Sequence, residues 1–196
     1  MKKRVLMSLV VLAIIGTSAA VFPPRVFAQQ PTLDKLKFVL NANKTSYYVE
    51  NANTNISGAV VIPDTYNNLP VTNVGIFRGN DKITSVIFPN SIIGLSTQSF
   101  YRCTGLTSVT IPASVTAIPW EAFGGCTNLT SVTFNGSKIS FGGNTNVFPG
   151  DLTAKFQAGG AGTYTRPAGS DTWTKQAGVT LCPTCGQPLP AGFKLP

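Results

Sequence analysis

The sequence Ile83-Thr-Ser-Val-Ile-Phe-Pro-Asn-Ser91 recurs as Leu106-Thr-Ser-Val-Thr-Ile-Pro-Ala-Ser114 and, in part, as Leu129-Thr-Ser-Val-Thr-Phe134. The copies begin at positions 83, 106 and 129, so the period is 23 residues, and Cys103 and Cys126 keep the same register between copies. A fixed period of this length, held by several independent positions, indicates a solenoid in which each copy forms one turn. One turn cannot bury its apolar residues alone, so the fold exists only as a stack.

The apolar residues of one copy predict a short strand that ends at a proline. Val109 and Ile111 lie two residues apart and point to the same face of a strand, while Leu106 enters the interior from the preceding bend. Pro112 has no N–H for the ladder and ends the strand. We therefore expect a β-rich solenoid of leucine-rich-repeat type, with parallel strands and a β cap at each end. The return path adds the apolar residues Val115, Ile118, Ala122 and Phe123.

The strand-proline unit, together with Ala122-Phe123 and the Cys126 and Leu129 that follow it, resembles the BspA-type leucine-rich repeat. That family occurs mainly in exported and surface proteins of host-associated bacteria, including spirochaetes. The resemblance covers residues 58–134 well, although the first full copy has Leu95-Ser96 and Ser99-Phe100 where Ile-Gly and Ala-Phe are usual. It implies a non-enzymatic protein that binds other proteins. The matching positions are Leu106, Val109, Ile111, Pro112, Ile118, Ala122, Phe123, Cys126 and Leu129.

Residues 1–28 have the order of a secretory leader. A basic start at positions 2–4 precedes an apolar run, and Val26-Phe27-Ala28 offers small residues at the −3 and −1 positions of a cleavage site. Cleavage after Ala20 is a second option. An uncleaved anchor is the alternative, because the apolar run nearly reaches the ~18–20 residues that span a bilayer. We predict removal of this signal peptide, no stable membrane span afterwards, and an exported protein that is secreted, periplasmic or at the cell surface.

The flanks of the repeats predict further segments. Residues 29–57 form an N-terminal cap with a hairpin, residues 58–134 hold the leucine-rich repeats, and residues 135–176 form an irregular turn and a C-terminal β cap. In that last segment, alternating residues predict short strands at 152–157, 162–166 and 171–175. Residues 177–196 are a proline-rich tail with a Cys-x-x-Cys pair.

Composition excludes several classes of function. The chain has no histidine, which excludes Ser-His and Cys-His catalysis and every histidine-containing metal site. Its seven acids form no close pair in the sequence, and there is no phosphate-binding glycine loop. The net charge of +8 includes Lys2, Lys3, Arg4 and Arg25 of the leader, and the remaining bases are scattered. We therefore predict neither an enzyme nor a nucleic-acid-binding protein.

The four cysteines fall into two pairs with different expected roles. Cys103 and Cys126 hold one position in successive turns, which predicts a buried ladder of small apolar groups, and Asn80 holds that position one turn earlier. Cys182 and Cys185 resemble half of a zinc knuckle, and a lone pair is only half of a tetrahedral site. A local disulfide in an oxidising compartment is the alternative to zinc. No other cofactor is expected.

The strand residues that alternate with the core positions predict a binding surface. Stacking places them in rows, and solenoids commonly bind partners there; the alternative is a solvated face of good strand formers. The expected function is protein–protein interaction, implied by the resemblance to be adhesion to host extracellular or neighbouring-cell proteins. The alternatives are a self-associating envelope or matrix component and a small zinc-binding module. The predicted binding residues are Ser85, Ile87, Ser108, Thr110, Ser131 and Thr133.

Overall fold

The computed structural model of the chain describes residues 35–51, 56–143 and 145–177. The predicted leader and the predicted metal ligands Cys182 and Cys185 lie outside these residues. The elements, in chain order, are β1 (Leu36–Leu40), β2 (Tyr47–Asn51), β3 (Gly58–Val61), β4 (Thr65–Tyr66), β5 (Leu69–Val74), β6 (Ile83–Ile87), β7 (Gly94–Leu95), β8 (Ser108–Ile111), β9 (Ala117–Ile118), β10 (Ser131–Phe134), β11 (Ser140–Phe141), a 3-10 turn (Thr145–Val147), α1 (Leu152–Gly159), β12 (Gly162–Thr165) and β13 (Thr174–Lys175).

The repeats build the parallel part of a six-stranded sheet, whose strand order is β13-β12-β10-β8-β6-β3. Strands β3, β6, β8 and β10 run parallel, whereas β12 and β13 join one edge of the sheet in antiparallel fashion. Val86, Val109 and Val132 are direct neighbours across three parallel strands. Since these residues lie one period apart in the sequence, the register confirms the predicted stack of turns of about 23 residues.

The return path of each turn has a short ladder of its own. The two-residue strands β7, β9 and β11 begin at positions 94, 117 and 140, again one period apart. Gly94 on β7 pairs with Asn73 on β5, and Ala117 on β9 pairs with Ser140 on β11, in both cases parallel. The period of the sequence is therefore expressed on two sides of the coil.

Residues from the strand and from the return path share one core. Val109, Ile111, Ile118 and Phe123 each expose 3% or less of their surface and belong to one core cluster, as their positions in the repeat predict. Successive turns contribute equivalent residues, so the apolar surface of one turn is covered by the next. Each large side chain buried in this way stabilises the stack by about 1.5–3 kcal/mol.

A column of phenylalanine rings runs through this core along the stack. The ring centroids are 5.2 Å apart between Phe77 and Phe100, 5.3 Å between Phe100 and Phe123, and 4.9 Å between Phe123 and Phe148. The planes of neighbouring rings differ by 12° or less. Because each internal ring contacts one ring on either side, the column couples the packing of consecutive turns.

An antiparallel hairpin of β1 and β2 precedes the repeats. Strand β2 pairs with β5 in parallel, and β4 pairs with β5 in antiparallel fashion. The ring of Tyr66 on β4 stacks on Phe38 of β1, with centroids 4.0 Å apart, and meets Tyr47 of β2 edge-on. The hairpin thus contacts the first turn of the coil through aromatic rings, while its role as a cap stays a prediction.

The segment after the repeats contains a helix where the sequence pattern predicted a strand. Residues 152–157 belong to α1, and the prediction of a strand there is wrong. Leu152 and Phe156 are four residues apart. This spacing fits the two-residue period of a strand, but it also places both residues on one side of a helix. Both residues are buried, while Ala154, which a strand would have placed beside them, is exposed. Strands β12 and β13 are present within the other two predicted segments.

A buried arginine joins the last turn to the residues that follow it. The Arg166 side chain, on a residue that is 6% exposed, donates hydrogen bonds to the carbonyl oxygens of Leu129 (2.7 Å), Thr127 (3.0 Å) and Ser170, and a longer one of 3.3 Å to Cys126. Burial lowers the pKa of this guanidinium, and the carboxylate of Asp171, 3.9 Å from Nη1, opposes the shift.

The indole of Trp173 packs against the Arg166 side chain. Its ring centroid lies 5.0 Å from the guanidinium carbon of Arg166, and its Nε1 donates a 2.8 Å hydrogen bond to the carbonyl oxygen of Pro149. Trp173 itself is 1% exposed. The edge of the last parallel strand, β10, is covered at the same time by β12. Arg166 thus donates to the carbonyl oxygen of Thr127, whose equivalent one turn earlier, Thr104, accepts a 2.8 Å hydrogen bond from Asn128 of the next turn.

Candidate protein-binding surface

The residues predicted to bind a partner lie on the face of the six-stranded sheet that points away from the core. Each of them alternates with a buried residue of the same strand, which fixes the side to which it points. Pairing in register aligns them across β6, β8 and β10. We name this surface the strand face; its two rows are Ser85, Ser108 and Ser131, and Ile87, Thr110 and Thr133.

Most hydroxyl groups in these rows are available to a partner. The side chains of Ser85, Ser108, Thr110 and Ser131 make no hydrogen bond to any residue that the structure describes. Thr133 differs, because its Oγ1 lies 2.9 Å from Oγ1 of Thr163. A hydroxyl both donates and accepts, so the unpaired groups can match either kind of polar atom on a binding protein.

The strand face extends beyond the repeats onto β12, which the sequence reasoning missed. Thr163 is opposite Thr133 and Thr165 is opposite Ser131, so both threonines continue the two rows. Between them Tyr164 is fully buried. The alternation Thr-Tyr-Thr was a usable signal, but the sequence did not show that β12 would pair with β10 rather than with a separate sheet.

The chemistry of the strand face changes along the stack. At the β3 end Val61 pairs with Ile87, whose side chain is 53% exposed, so this end is apolar. From β8 to β12 the outward residues carry hydroxyl groups. None of the outward positions on these five strands is charged: Ala59, Val61, Ser85, Ile87, Ser108, Thr110, Ser131, Thr133, Thr163 and Thr165. Such a surface suits a partner that brings apolar groups and neutral hydrogen-bonding groups.

Cys103 and Cys126 belong to the core and not to a site. Both are free and fully buried, and their thiols donate to the carbonyl oxygens of Phe77 (3.3 Å) and Phe100 (3.1 Å). Asn80, one turn earlier, bonds the carbonyl oxygen of Ile56 in the same way, at 3.0 Å. The predicted buried ladder is confirmed. Burial raises the pKa of Cys103 to about 11 and also raises that of Cys126, so both thiols stay protonated.

We expect these two thiols to resist modification as long as the chain is folded. In a Cys182→Ser, Cys185→Ser background at pH 8, an aromatic disulfide reagent should label neither thiol until denaturant is added. Stability should also fall as the pH rises from about 8.5 to about 11, because the unfolded chain releases thiol protons that the folded chain retains. Labelling of folded protein at the rate of a free thiol would contradict the assignment.

The cleft beside α1 and the metal-ligating side chains among the described residues do not form a competing site. A cleft of about 440 Å³ beside α1 contains Asp151, whose Oδ1 accepts a 2.8 Å hydrogen bond from the Trp173 amide and whose Oδ2 lies 3.8 Å from Nζ of Lys155. No three histidine, cysteine or acidic side chains are grouped to hold a metal ion in residues 35–51, 56–143 and 145–177. Within the same ranges, no helix has the length and hydropathy needed to cross a bilayer.

Comparison with known proteins supports the repeat assignment directly. A family model described as the BspA type leucine rich repeat region matches residues 51–145, which hold strands β3 to β11. Residues 51–145 are a BspA-type leucine-rich repeat region. The resemblance seen in the sequence is thereby confirmed. Proteins with BspA-type repeats are generally exported or surface proteins of bacteria, and the repeats are typically non-enzymatic and mediate protein–protein interaction.

Solved structures with similarity to the chain are also leucine-rich repeat proteins. A leucine-rich repeat protein from Bacteroides ovatus is 21% identical over 57% of this chain and 37% of its own, with a TM-score of 0.46. A leucine rich cell surface protein from Faecalibacterium prausnitzii is 28% identical over 51% and 30%, with a TM-score of 0.40. The chain thus spans about a third of either protein. No curated protein matches it significantly.

Proposed function

We propose that this BspA-type repeat protein is exported and binds a protein partner through the strand face, as an adhesin for host extracellular or neighbouring-cell proteins. The observation that carries the proposal is the alignment of outward side chains across β6, β8, β10 and β12, with four hydroxyl groups that lack a protein partner. The family match supports export and interaction in general. Adhesion is the specific form that we infer from the resemblance.

The expected affinity for one partner molecule is modest. Serine and threonine lose little rotamer freedom on contact, but the strand face has none of the tryptophan, tyrosine and arginine residues that dominate tight interfaces. We therefore expect a dissociation constant in the micromolar range, which corresponds to a binding free energy of about −8 kcal/mol. Many copies on one surface would raise the apparent affinity through multivalency. The absence of charge on the outward positions predicts that binding is nearly independent of ionic strength.

A pair of lysines in the centre of the strand face should abolish partner binding. Ser108→Lys with Thr110→Lys places two charged, flexible side chains where the partner would otherwise contact hydroxyl groups. Partners would first be captured with the mature domain, with an unrelated repeat protein as the control for non-specific capture. Binding of the purified partner would then be measured by surface plasmon resonance, and we expect no detectable binding. The melting temperature should stay nearly unchanged, because both side chains lie outside the core.

The matched control is Thr116→Lys with Thr127→Lys, which adds the same charge at two exposed positions outside the strand face. This variant should bind as the wild-type protein does. Equal loss of binding in both variants would show a general effect of charge. Full binding by the strand-face variant, with loss on changing Arg102 or the 41% exposed Trp120, would move the recognition surface to the return path and contradict the proposal.

A further inference from the structure

A second surface on the return path combines two arginines with one tyrosine. The guanidinium carbon of Arg78 lies 5.1 Å from the ring centroid of Tyr101, and that of Arg102 lies 5.2 Å from the same centroid. Both arginines are exposed, and Nη1 of Arg78 donates a 2.9 Å hydrogen bond to Oε1 of Gln98. The ring and the amide thus restrict the positions of two cationic groups that face solvent.

Arg102 occupies a backbone position that neighbouring turns give to glycine. Its φ of 56° is left-handed, and the equivalent residues one turn before and one turn after, Gly79 and Gly125, have φ of 72° and 70°. A side chain at such a position costs backbone energy that glycine avoids. The middle turn therefore keeps an arginine where the geometry favours glycine, and such an outlier is a reason to look for a function.

The following turn leaves room for these side chains. A methyl group added at Gly125 would sit 3.0 Å from Cγ of Arg102, and one added at Gly124 would sit 3.2 Å from Cδ2 of Tyr101. The two glycines line a shallow cavity of about 200 Å³ together with Tyr101 and Glu121. Tyr101 consequently borders a depression, and Arg102 lies beside Gly125, which lines it.

The charges on this surface define the ligand that fits it. Among the described residues, the ion pairs involve Lys37, Lys155 and Arg166, so Arg78 and Arg102 have no acidic partner. Glu121 lies nearby and accepts a 2.6 Å hydrogen bond from Nε2 of Gln98. Binding of nucleic acids or anionic membranes requires larger groups of bases, and the carboxylate of Glu121 would repel a continuous polyanion. Two separate carboxylates suit two arginines.

We infer that Arg78, Tyr101 and Arg102 bind an acidic segment of a partner protein, with one aspartate or glutamate side chain on each guanidinium. An arginine presents a planar fork that binds a carboxylate through two parallel hydrogen bonds, and the ring of Tyr101 orients both forks. The segment runs along the return path and is independent of the strand face. This surface is charged and its binding falls with salt, in contrast to the uncharged strand face.

The test measures the fluorescence anisotropy of a labelled peptide that carries two glutamates separated by neutral residues, mixed with the whole chain or its variants at low salt. Arg102→Gly and Arg78→Gln should each weaken binding by about tenfold or more, the effect of losing a charge-assisted hydrogen bond. Arg102→Lys should weaken it less than Arg102→Gly, because it keeps the charge without the fork. The melting temperature of Arg102→Gly should be unchanged or higher, since glycine suits the left-handed position.

Lys44→Gly is the matched control, because Lys44 is also exposed, basic and left-handed, with φ of 58°. It removes the same charge elsewhere, and we expect less than about a twofold change, as for a distant exposed charge. Equal weakening by Lys44→Gly and Arg102→Gly would overturn the proposal. Heparin, inorganic phosphate or phosphatidylserine vesicles that bind more tightly than the peptide, with the same dependence on Arg102, would also overturn it in favour of another anion.

Discussion

Arg166→Ala is expected to lower the free energy of unfolding by about 3–5 kcal/mol, because it removes several hydrogen bonds from a buried charged group. Each such bond contributes about 1.5–3 kcal/mol, and water that enters the vacated space offsets part of the loss. The carbonyl oxygens of Leu129 and Thr127 would lose a donor in the interior. Trp173 would lose the guanidinium beside its ring.

Urea denaturation followed by tryptophan fluorescence measures this loss. Arg166→Lys should recover only part of the stability, since an ammonium group cannot reach the same set of carbonyl oxygens in a fixed plane. Asp171→Asn is the matched control: its side chain is 90% exposed and 3.9 Å from Nη1 of Arg166, so the expected cost is below about 1 kcal/mol. A similar small loss in Arg166→Ala would show that the guanidinium does not stabilise the end of the repeats.

Phe123→Ala is expected to cost about 3–5 kcal/mol, as for other fully buried aromatic residues. The ring lies in the middle of the phenylalanine column and touches Phe100 on one side and Phe148 on the other. Its removal opens a cavity between two turns, and the packed neighbours can close it only in part. Because the turns stack on each other, the cavity weakens the contact that holds the coil together.

Thermal and urea unfolding of Phe123→Ala, Thr110→Ala and Ser108→Ala would compare the two sides of the strands. Ser108→Ala removes an outward hydroxyl group, and Thr110→Ala removes an outward hydroxyl and a methyl group. Neither opens a cavity in the core, so each should change stability by less than about 1 kcal/mol. A loss in Thr110→Ala as large as that in Phe123→Ala would mean that the faces of β8 are assigned wrongly. The same set of variants therefore tests both the core and the surface.

The amino-acid sequence alone was sufficient to predict the fold of the repeats, and the reason is physical. A solenoid repeats its environment, so Val109 and Val132 meet the same neighbours and keep the same chemistry in the sequence. Alternation within each strand then decides which residues face the core, and it placed Ser108 and Thr110 on the opposite side. The strand face followed from these two regularities, without any long-range contact having to be known.

The segment after the repeats could not be predicted as well, since its contacts are unique. Leu152 and Phe156 fit both a strand and a helix in so short a segment, and only their packing against the end of the coil selects the helix. The contact of Arg166 with Leu129 joins residues 37 positions apart, and nothing local indicates it. Thr163 and Thr165 joined the strand face only through the pairing of β12 with β10.

Photo-crosslinking from the strand face tests the central claim most directly. A benzoylphenylalanine would replace Thr110, at the centre of the strand face, and in a second protein Thr116, which is exposed outside it. Each variant would be irradiated with the captured partner, and the crosslinked products analysed by mass spectrometry. We predict a crosslink to the partner from position 110 and none from position 116. A crosslink from position 116 with none from position 110 would contradict recognition through the strand face.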